Sequence, residues 1–149
     1  FLIAGARDPA LAYAPLHREP LIAALPARRR WPARVPLRSL AREPFILFPR
    51  EVAPELHDAI VALCRKAGFA PRIGQEAIQM QTIVSLVAGG MGVSLVPASL
   101  EHMRRDGVVY RPLAERGPRV EIGLAWRAAD DSPLTRAFVA EARAASILD

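Results

Sequence analysis

The chain contains a single cysteine, Cys64, and a single lysine, Lys66, among its 149 residues. One cysteine cannot form an internal disulfide or make a zinc site alone, which fits a reducing cytoplasm. The longest apolar runs are broken by Gly, Pro or Arg well short of the ~20 residues that span a bilayer, and no segment at the start resembles a secretion signal. These shortages argue against an exported or membrane-spanning protein and predict a cytoplasmic one with no membrane partner.

Hydrophobic residues make up 52% of the chain, enough to bury the core of about one ordinary domain. The chain opens on Phe1 without an initiator Met, inside the strand-like segment FLIAG, so we expect it to be a fragment of a longer protein.

The net charge of +5 comes from arginine, and the excess lies almost wholly before residue 75. A basic chain invites a nucleic-acid interpretation. However, prolines interrupt the densest cluster, Arg28–Arg30 with Arg34 and Arg38. This pattern favours a solvated loop over a helix aimed at a DNA groove.

Strands and helices alternate from Phe45 onward. The pattern predicts, in order, a strand at Phe45–Phe48, a helix at Pro54–Ala67, a strand at Arg72–Glu76, a helix at Met80–Ala88 and a strand at Val93–Pro97. Such alternation is typical of an α/β unit with a mainly parallel sheet.

The glycines Gly89, Gly90 and Gly92 follow a helix and precede a strand. A phosphate loop needs the reverse order, because the free N–H groups lie at a helix N-terminus. The glycines are therefore expected to end the helix, with Gly89 or Gly90 in the left-handed conformation, and to let the chain enter a crowded sheet at Gly92.

The remaining segments predict further strands at FLIAG, LHREPLIAALP, VVYRPL and VEIGLAWR. The last two are expected to join the sheet of FLIAG. Ser132 and Pro133 predict the start of a final helix, with its apolar residues turned inward: Leu134, Phe138, Val139 and Ala142.

Several segments carry a resemblance to a known family: EPFILFPR, RKAGFAPRIGQEA, QTIVSLVAGGMGVSLVPASL, GVVYRPL, EIGLAWR and DDSPLTRAFV. In this order and spacing they resemble the effector-binding domain of LysR-type transcriptional regulators, over essentially the whole chain. Within that family the chain looks most like the branch governing aromatic-compound degradation through catechol, benzoate or muconate signals.

The resemblance implies an α/β fold of two Rossmann-like subdomains joined by two crossing strands, similar to the periplasmic solute-binding type II fold, with a small effector between them. It assigns residues 1–20 to part of subdomain I, 21–107 to subdomain II and 108–149 to the return to subdomain I, which is incomplete. It also implies a DNA-binding helix-turn-helix domain absent from this chain, promoter DNA as that domain's partner, and a homodimer or homotetramer.

The resemblance also implies a set of effector-binding residues. Arg7 looks like the arginine that binds the effector carboxylate, by a charge-assisted pair. His17 stands where some relatives carry a second arginine, which Arg18 could replace. Four further positions match the pocket lining or a helix start that faces it: Pro54, Leu56, Gln79 and Gln81. Leu56 is more often a core position.

No residue pattern predicts an enzyme, and neither a cofactor nor a metal site is expected. Cys64 lies on the apolar face of its helix, where a thiol is usually inert. His57 and Asp58 are adjacent in a helix and are expected to point in different directions. Asp130 and Asp131 are expected to interact with the final helix's dipole. The family resemblance thus implies a regulator's sensing domain that binds a small organic carboxylate, with a solute-binding receptor and an unrecognised enzyme as the alternatives.

Overall fold

The computed structural model describes residues 2–3 and 9–145. The chain divides into two compact units. Unit 1 comprises Phe1–Glu19 and Arg119–Asp149, and unit 2 comprises Pro20–Pro118. No helix among the described residues is both long and apolar enough to cross a membrane.

The described residues form seven strands, three α-helices and two short 3-10 helices. The strands are β1 (Leu2–Ile3), β2 (Leu11–Pro26), β3 (Pro44–Leu47), β4 (Arg72–Glu76), β5 (Ser94–Pro97), β6 (Val108–Pro112) and β7 (Arg119–Arg127). The α-helices are α1 (Pro54–Lys66), α2 (Met80–Ala88) and α3 (Pro133–Ala144), and the 3-10 helices span Leu37–Leu40 and Ala98–His102. The α/β prediction from Phe45 onward is confirmed to within about a residue at each boundary.

Unit 2 is built on a sheet in which one strand runs against the others. β3 and β4 are parallel, and a parallel bridge between Phe45 and Val93 links β3 to the start of β5. β5 and β6 both pair antiparallel with β2, one on each side. The order is therefore β4-β3-β5-β2-β6, with β2 reversed.

The second half of β2 is the centre of this sheet. Its residues Leu21–Pro26 are all buried, as expected for a strand flanked on both edges and covered on both faces. On one face, Ile22 and Ala24 join a core of buried side chains from β3, β5 and α2: Ile46, Ile83, Val87 and Val96. Burying one such Ile, Leu or Val side chain contributes about 1.5–3 kcal/mol.

The glycines after α2 act as the sequence predicts. Gly90 has a φ of +75°, whereas Gly89 remains in the right-handed region with a φ of −68°. A Cβ on Gly92 would collide with the carbonyl oxygen of Pro44, so only glycine lets β5 approach β3 this closely.

Two arginines stabilise the ends of the two helices in unit 2. Arg28 Nη2 donates to the carbonyl oxygen of Gly90, 2.9 Å away, just after α2. Arg38 Nη1 lies 3.4 Å from the carbonyl oxygen of Ala67, the residue that ends α1. Cations at these positions interact favourably with the partial negative charge of a helix C-terminus. The arginine-rich segment is thus a loop, as predicted, and part of it caps helices.

In unit 1, β1 pairs antiparallel with β7, and β7 lies next to β2 in the sheet order. Ser132 caps α3 as predicted, because its Oγ accepts the Thr135 N–H at 3.2 Å. Asp130 adds two contacts to the same turn, through the Ser132 N–H and the Thr135 hydroxyl. The predicted helix start is confirmed.

The inward face predicted for α3 is partly wrong. Val139 is buried against Leu16 and Leu124, with Ala142 beside them, but Leu134 is 82% and Phe138 58% exposed. Val139 and Ala142 lie three apart and so share one face of the helix, while Leu134 and Phe138, four apart, form a neighbouring ridge. The helix rests on unit 1 through the first face only.

β6 and β7 both join the sheet of β1, as predicted, but at different places in it. β6 pairs with residues 22–26 of β2 and belongs to unit 2, whereas only β7 joins β1. The second compact unit accordingly extends to Pro118 and includes β6. The assignment of the two units as effector subdomains stays a prediction.

The left-handed conformation of Gly90 predicts a position-specific effect of adding a methyl group. We expect Gly90→Ala to lower the free energy of unfolding of the full-length protein by about 1–2 kcal/mol, because an L-residue is strained at positive φ. The added Cβ would also displace Arg28.

Gly89→Ala is the matched control. Gly89 is right-handed and has ordinary van der Waals room for a Cβ, so this change should leave stability unchanged or raise it by about 0.4–1 kcal/mol. Urea unfolding midpoints measure both. Equal losses in the two variants would contradict the assignment of Gly90 as the left-handed cap.

Candidate functional site

The parallel strands of unit 2 bring two helix N-termini to one edge of the sheet. β3 ends at Leu47 and leads into α1, and β4 ends at Glu76 and leads into α2. We call residues 48–58 and 76–82 the carboxyl edge. The Ala77 N–H donates to the Leu47 carbonyl at 3.0 Å and so holds the two strand ends together. Ligands of open α/β sheets bind at such an edge.

The N-terminus of α2 presents backbone N–H groups that have no acceptor among the described residues. Gln79 is the N-cap residue in an extended conformation, and its side chain makes no capping hydrogen bond. The N–H groups of Thr82 and Ile83 bond to the Gln79 carbonyl, but those of Met80 and Gln81 precede the first helical acceptor. This end of α2 therefore offers two N–H donors and the positive end of the helix dipole.

The N-terminus of α1 is similar. Ala53 is the N-cap and has no side-chain acceptor, while Pro54 at the first position has no N–H to satisfy. The His57 N–H bonds to the Ala53 carbonyl at 2.9 Å. Within residues 2–3 and 9–145, the N–H groups of Glu55 and Leu56 are therefore the free first-turn donors. A turn closed by the Pro49 carbonyl positions this helix start.

Three of the predicted residues lie on the surface of the carboxyl edge, and one does not. Pro54, Gln79 and Gln81 are exposed. Leu56 is 2% exposed and packs into the core, so only its backbone faces the helix end. The structure thus brings these four positions to one edge of unit 2 by two different helices.

The predicted residues of unit 1 are placed less fully. Arg7 lies outside the described residues. His17 is half-buried in β2, with its Nε2 3.9 Å from Glu19 Oε2. Arg18 is paired with Glu121, its Nε 2.9 Å from Oε2, so its guanidinium already has a carboxylate partner within unit 1.

A charged cluster at the carboxyl edge is missing from the sequence prediction. Arg50 holds Asp58 in a bidentate pair, with Nε and Nη2 each 2.7 Å from one carboxylate oxygen. His57 Nδ1 lies 3.3 Å from Asp58 Oδ1, so the expectation that His57 and Asp58 point apart is wrong. The flexible side-chain ends meet although their Cβ atoms diverge. An acid one turn inside a helix, with an arginine just before that helix, is the signal that could have revealed the pair.

The pair shifts the protonation of its members. The hydrogen bonds from Arg50, followed by that from His57, lower the pKa of Asp58 to about 2. Asp58 correspondingly raises the pKa of Arg50 above its ordinary value. Both groups are therefore charged at neutral pH. Apart from Arg50, the charged residues of this edge are acids: Glu51, Glu55, Asp58 and Glu76.

The cysteine shows no catalytic character. Cys64 is buried in α1, and desolvation raises the pKa of its thiol to about 11. A neutral buried thiol is a poor nucleophile, which agrees with the sequence interpretation. Among residues 2–3 and 9–145, no group of three His, Cys, Asp or Glu side chains could hold a metal ion.

The Arg50–Asp58 pair predicts a pH-dependent effect of Arg50→Gln. Because the folded-state pKa of Asp58 is lowered from 3.8 to about 2, the pair's stabilisation is present above pH ~3.8 and is lost as pH falls toward 2. The variant's urea midpoint should thus lie slightly below wild type at pH 6, and the difference should shrink steadily below pH ~3.8 as pH falls toward 2. Arg116→Gln, at another exposed arginine, serves as the control. A difference that stays constant down to pH 2.5 would contradict this account.

Comparison with known proteins identifies the family. A model of the LysR substrate binding domain matches residues 1–146. The chain is 48% identical over 126 residues to the HTH-type transcriptional regulator IlvR of Caulobacter vibrioides, covering 83% of this chain and 42% of that protein. It thus spans less than half the length of this relative.

Two solved structures resemble the fold. That of CbnR, a LysR family transcriptional regulator, has a TM-score of 0.81 at 23% identity and covers 97% of this chain and 51% of that one. The BenM effector-binding domain with its effector benzoate has a TM-score of 0.69 at 26% identity, covering 95% and 66%. The predicted fold class is confirmed. The chain belongs to the LysR substrate-binding domain family, the effector-binding domains of LysR-type transcriptional regulators.

Proposed function

We propose that the chain is the sensing part of a longer transcriptional regulator and binds a small organic carboxylate at the carboxyl edge of unit 2. The observation that carries the proposal is the pair of uncapped helix N-termini, at Pro54 and Gln79, which follow adjacent parallel strands. Their free N–H groups and positive dipole ends suit an anionic ligand.

A carboxylate ligand draws further support from BenM, whose effector is benzoate and whose effector-binding domain shares this fold. The family resemblance adds Arg7 as the expected partner of the effector carboxylate and His17 as a neighbouring polar group. A desolvated bond between an arginine and a carboxylate contributes about 1.5–3 kcal/mol. Because of the benzoate effector of BenM and the family resemblance, we extend the proposal to an effector from aromatic-compound degradation.

The acids of the carboxyl edge restrict how such a ligand is bound. Glu51, Glu55 and Glu76 would repel a carboxylate placed beside them, while Asp58 is already neutralised by Arg50. The ligand's anionic group should therefore lie at the start of α2, where the exposed side chains are Gln79 and Gln81. This geometry leaves the neutral part of the ligand toward α1.

We further propose that effector binding changes the assembly of the full-length protein, a homodimer or homotetramer in the cytoplasm whose separate domain binds promoter DNA. A tenfold shift between two assembly states requires about 1.4 kcal/mol of differential binding, which one good carboxylate contact can supply. Because the matched family consists of transcriptional regulators, it does not favour the alternative of a transport receptor.

A thermal-shift titration of the full-length protein tests the proposed ligand class. Benzoate, muconate, chlorinated catechol products and simple dicarboxylates are compared at fixed salt. We expect a saturable rise in Tm with at least one of them, because a ligand that binds only the folded state stabilises it. The rise should be lost in Arg7→Ala. No shift with any of these compounds would contradict an aromatic-pathway carboxylate effector.

A charge substitution at the start of α2 tests the site itself. Gln81→Glu should keep or slightly raise stability, because an acid in the first turn favours the helix dipole by about 0.3–1 kcal/mol. It should nevertheless weaken carboxylate binding by about tenfold or more, equal to 1.4 kcal/mol. Gln75→Glu, an equal charge change on exposed β4, should leave affinity nearly unchanged. Equal affinity losses in both variants would place the ligand elsewhere.

A further inference from the structure

The opposite edge of the unit 2 sheet collects loops from distant parts of the chain. The helices α1 and α2 end there, β3, β4, β5 and β6 begin there, and β2 ends there. We call this surface the amino edge. It comprises five loops, each taken with the adjoining ends of its helices and strands: residues 27–30, 38–43, 65–72, 88–93 and 103–107.

Backbone and side-chain contacts hold these loops together. The Ala27 N–H donates to the Gly107 carbonyl at 2.9 Å, and a Cβ on Gly107 would lie 3.2 Å from that of Ala88. Arg28 reaches Gly90, and Arg38 reaches Ala67. Arg72 is the register partner of Pro44, whose carbonyl accepts the Val93 N–H at 2.9 Å. Each of the five loops is therefore tied to at least one other.

The amino edge is strongly basic. Ten cationic side chains, all exposed, lie in its loops: Arg28, Arg29, Arg30, Arg38, Arg42, Arg65, Lys66, Arg72, Arg104 and Arg105. The loops contain only two acids, Glu43 and Asp106, and Glu43 is paired with Arg29. The carboxyl edge has four acids and one arginine, so the two edges of the sheet carry opposite charge.

Part of this charge has a structural role, and part does not. Arg28 and Arg38 offset the partial negative ends of α2 and α1. Arg29 stacks on Trp31, 4.4 Å from the ring centroid, besides pairing with Glu43. The fold itself makes no comparable use of the exposed charges of Arg30, Arg42 and Arg72 in the described part of the chain. Like charges gathered without neutralisation repel one another, which points to an external anion.

We propose that the amino edge binds the phosphate backbone of double-stranded DNA. Duplex DNA carries one negative charge per ~1.7 Å of its axis, so several separated cations can be neutralised along it at once. Guanidinium groups match phosphate oxygens in a bidentate geometry. Such contacts need no helix in a groove and carry no base specificity, which reconciles the basic charge with a proline-broken loop.

The composition of the edge favours DNA over an acidic protein partner. Stable protein interfaces are centred on buried aromatic or aliphatic anchors. Trp31, next to these loops, is half-buried beneath Arg29 and donates to the Pro26 carbonyl. Among the described loop residues, Met91 is the large apolar side chain that is exposed, at 52%. A surface of many cations with one apolar side chain suits a polyanion.

The salt dependence of DNA binding by the full-length protein tests this inference. Binding to a random-sequence duplex is followed by fluorescence anisotropy between about 50 and 200 mM salt. The double variant Arg42→Gln with Arg72→Gln removes two amino-edge cations. The control variant, Arg116→Gln with Arg127→Gln, removes two exposed arginines elsewhere, so its net charge equals that of the amino-edge variant. Circular dichroism establishes that each variant is folded.

We expect the slope of log Kobs against log salt to become shallower by about 1.8 in the amino-edge variant, since each lost phosphate contact contributes about 0.9. The control should keep the wild-type slope. Equal slopes in the amino-edge variant, the control and wild type would overturn the proposal. The same result is expected if this surface binds an acidic protein instead of DNA.

The inference rests on the proposed function in one respect, that the full-length protein binds DNA. If the wild-type protein binds no duplex at about 50 mM salt, that result would overturn both the amino-edge inference and the proposed DNA binding of the full-length protein. Normal wild-type binding with an unchanged slope in the amino-edge variant would overturn only the role of the amino edge.

Discussion

The buried second half of β2 is the constraint on which unit 2 depends. Leu21–Pro26 are fully enclosed and hydrogen-bonded to β5 on one side and β6 on the other. Because this strand runs against its neighbours, it can separate two strands that themselves run in the same direction. Their helices and loops must then emerge at fixed edges, so the position of both candidate surfaces follows from one apolar, uncharged segment.

This arrangement separates chemistry between the two edges. Parallel strands place every helix start at the carboxyl edge, where free N–H groups are available to a ligand. The same geometry places every helix end at the amino edge, where carbonyl groups need cations. Arg28 and Arg38 meet that need in the described structure. The basic charge at one edge and the bare helix N-termini at the other are thus both consequences of strand direction.

Local signals in the sequence predicted the elements of unit 2 well. Pro54 and Gly68 mark the two ends of α1, and the Gly89–Gly92 segment marks a helix stop followed by a crowded strand. Pairing between distant segments was harder to predict. No local sequence feature distinguishes β6 from β7 as a partner of β1. The choice depends on the pairing of β6 with residues 22–26 of β2, which leaves β7 to pair with β1.

The candidate site was predictable to a similar extent. Positions at a helix start, such as Gln79 and Gln81, follow from strand and helix order. Contacts that depend on long, flexible side chains do not, because spacing fixes where a Cβ lies and leaves the charged end free. The Arg50–Asp58 pair and the arginine caps were missed for this reason. The face of α3 was misassigned because Leu134 and Val139 are equally apolar in sequence, and only the packing of Leu16 and Leu124 selects between them.

Amide hydrogen exchange, read by mass spectrometry on the full-length protein, tests the central claim that the carboxyl edge of unit 2 binds the effector. The probe is whichever of the tested carboxylates gives a saturable thermal shift. We expect slower exchange in peptides covering residues 49–57 and 77–83, where the free first-turn N–H groups lie. Peptides 27–43 and 103–107 of the amino edge should show no change. Protection confined to the amino-edge peptides, or absent from both helix starts at saturating ligand, would contradict it.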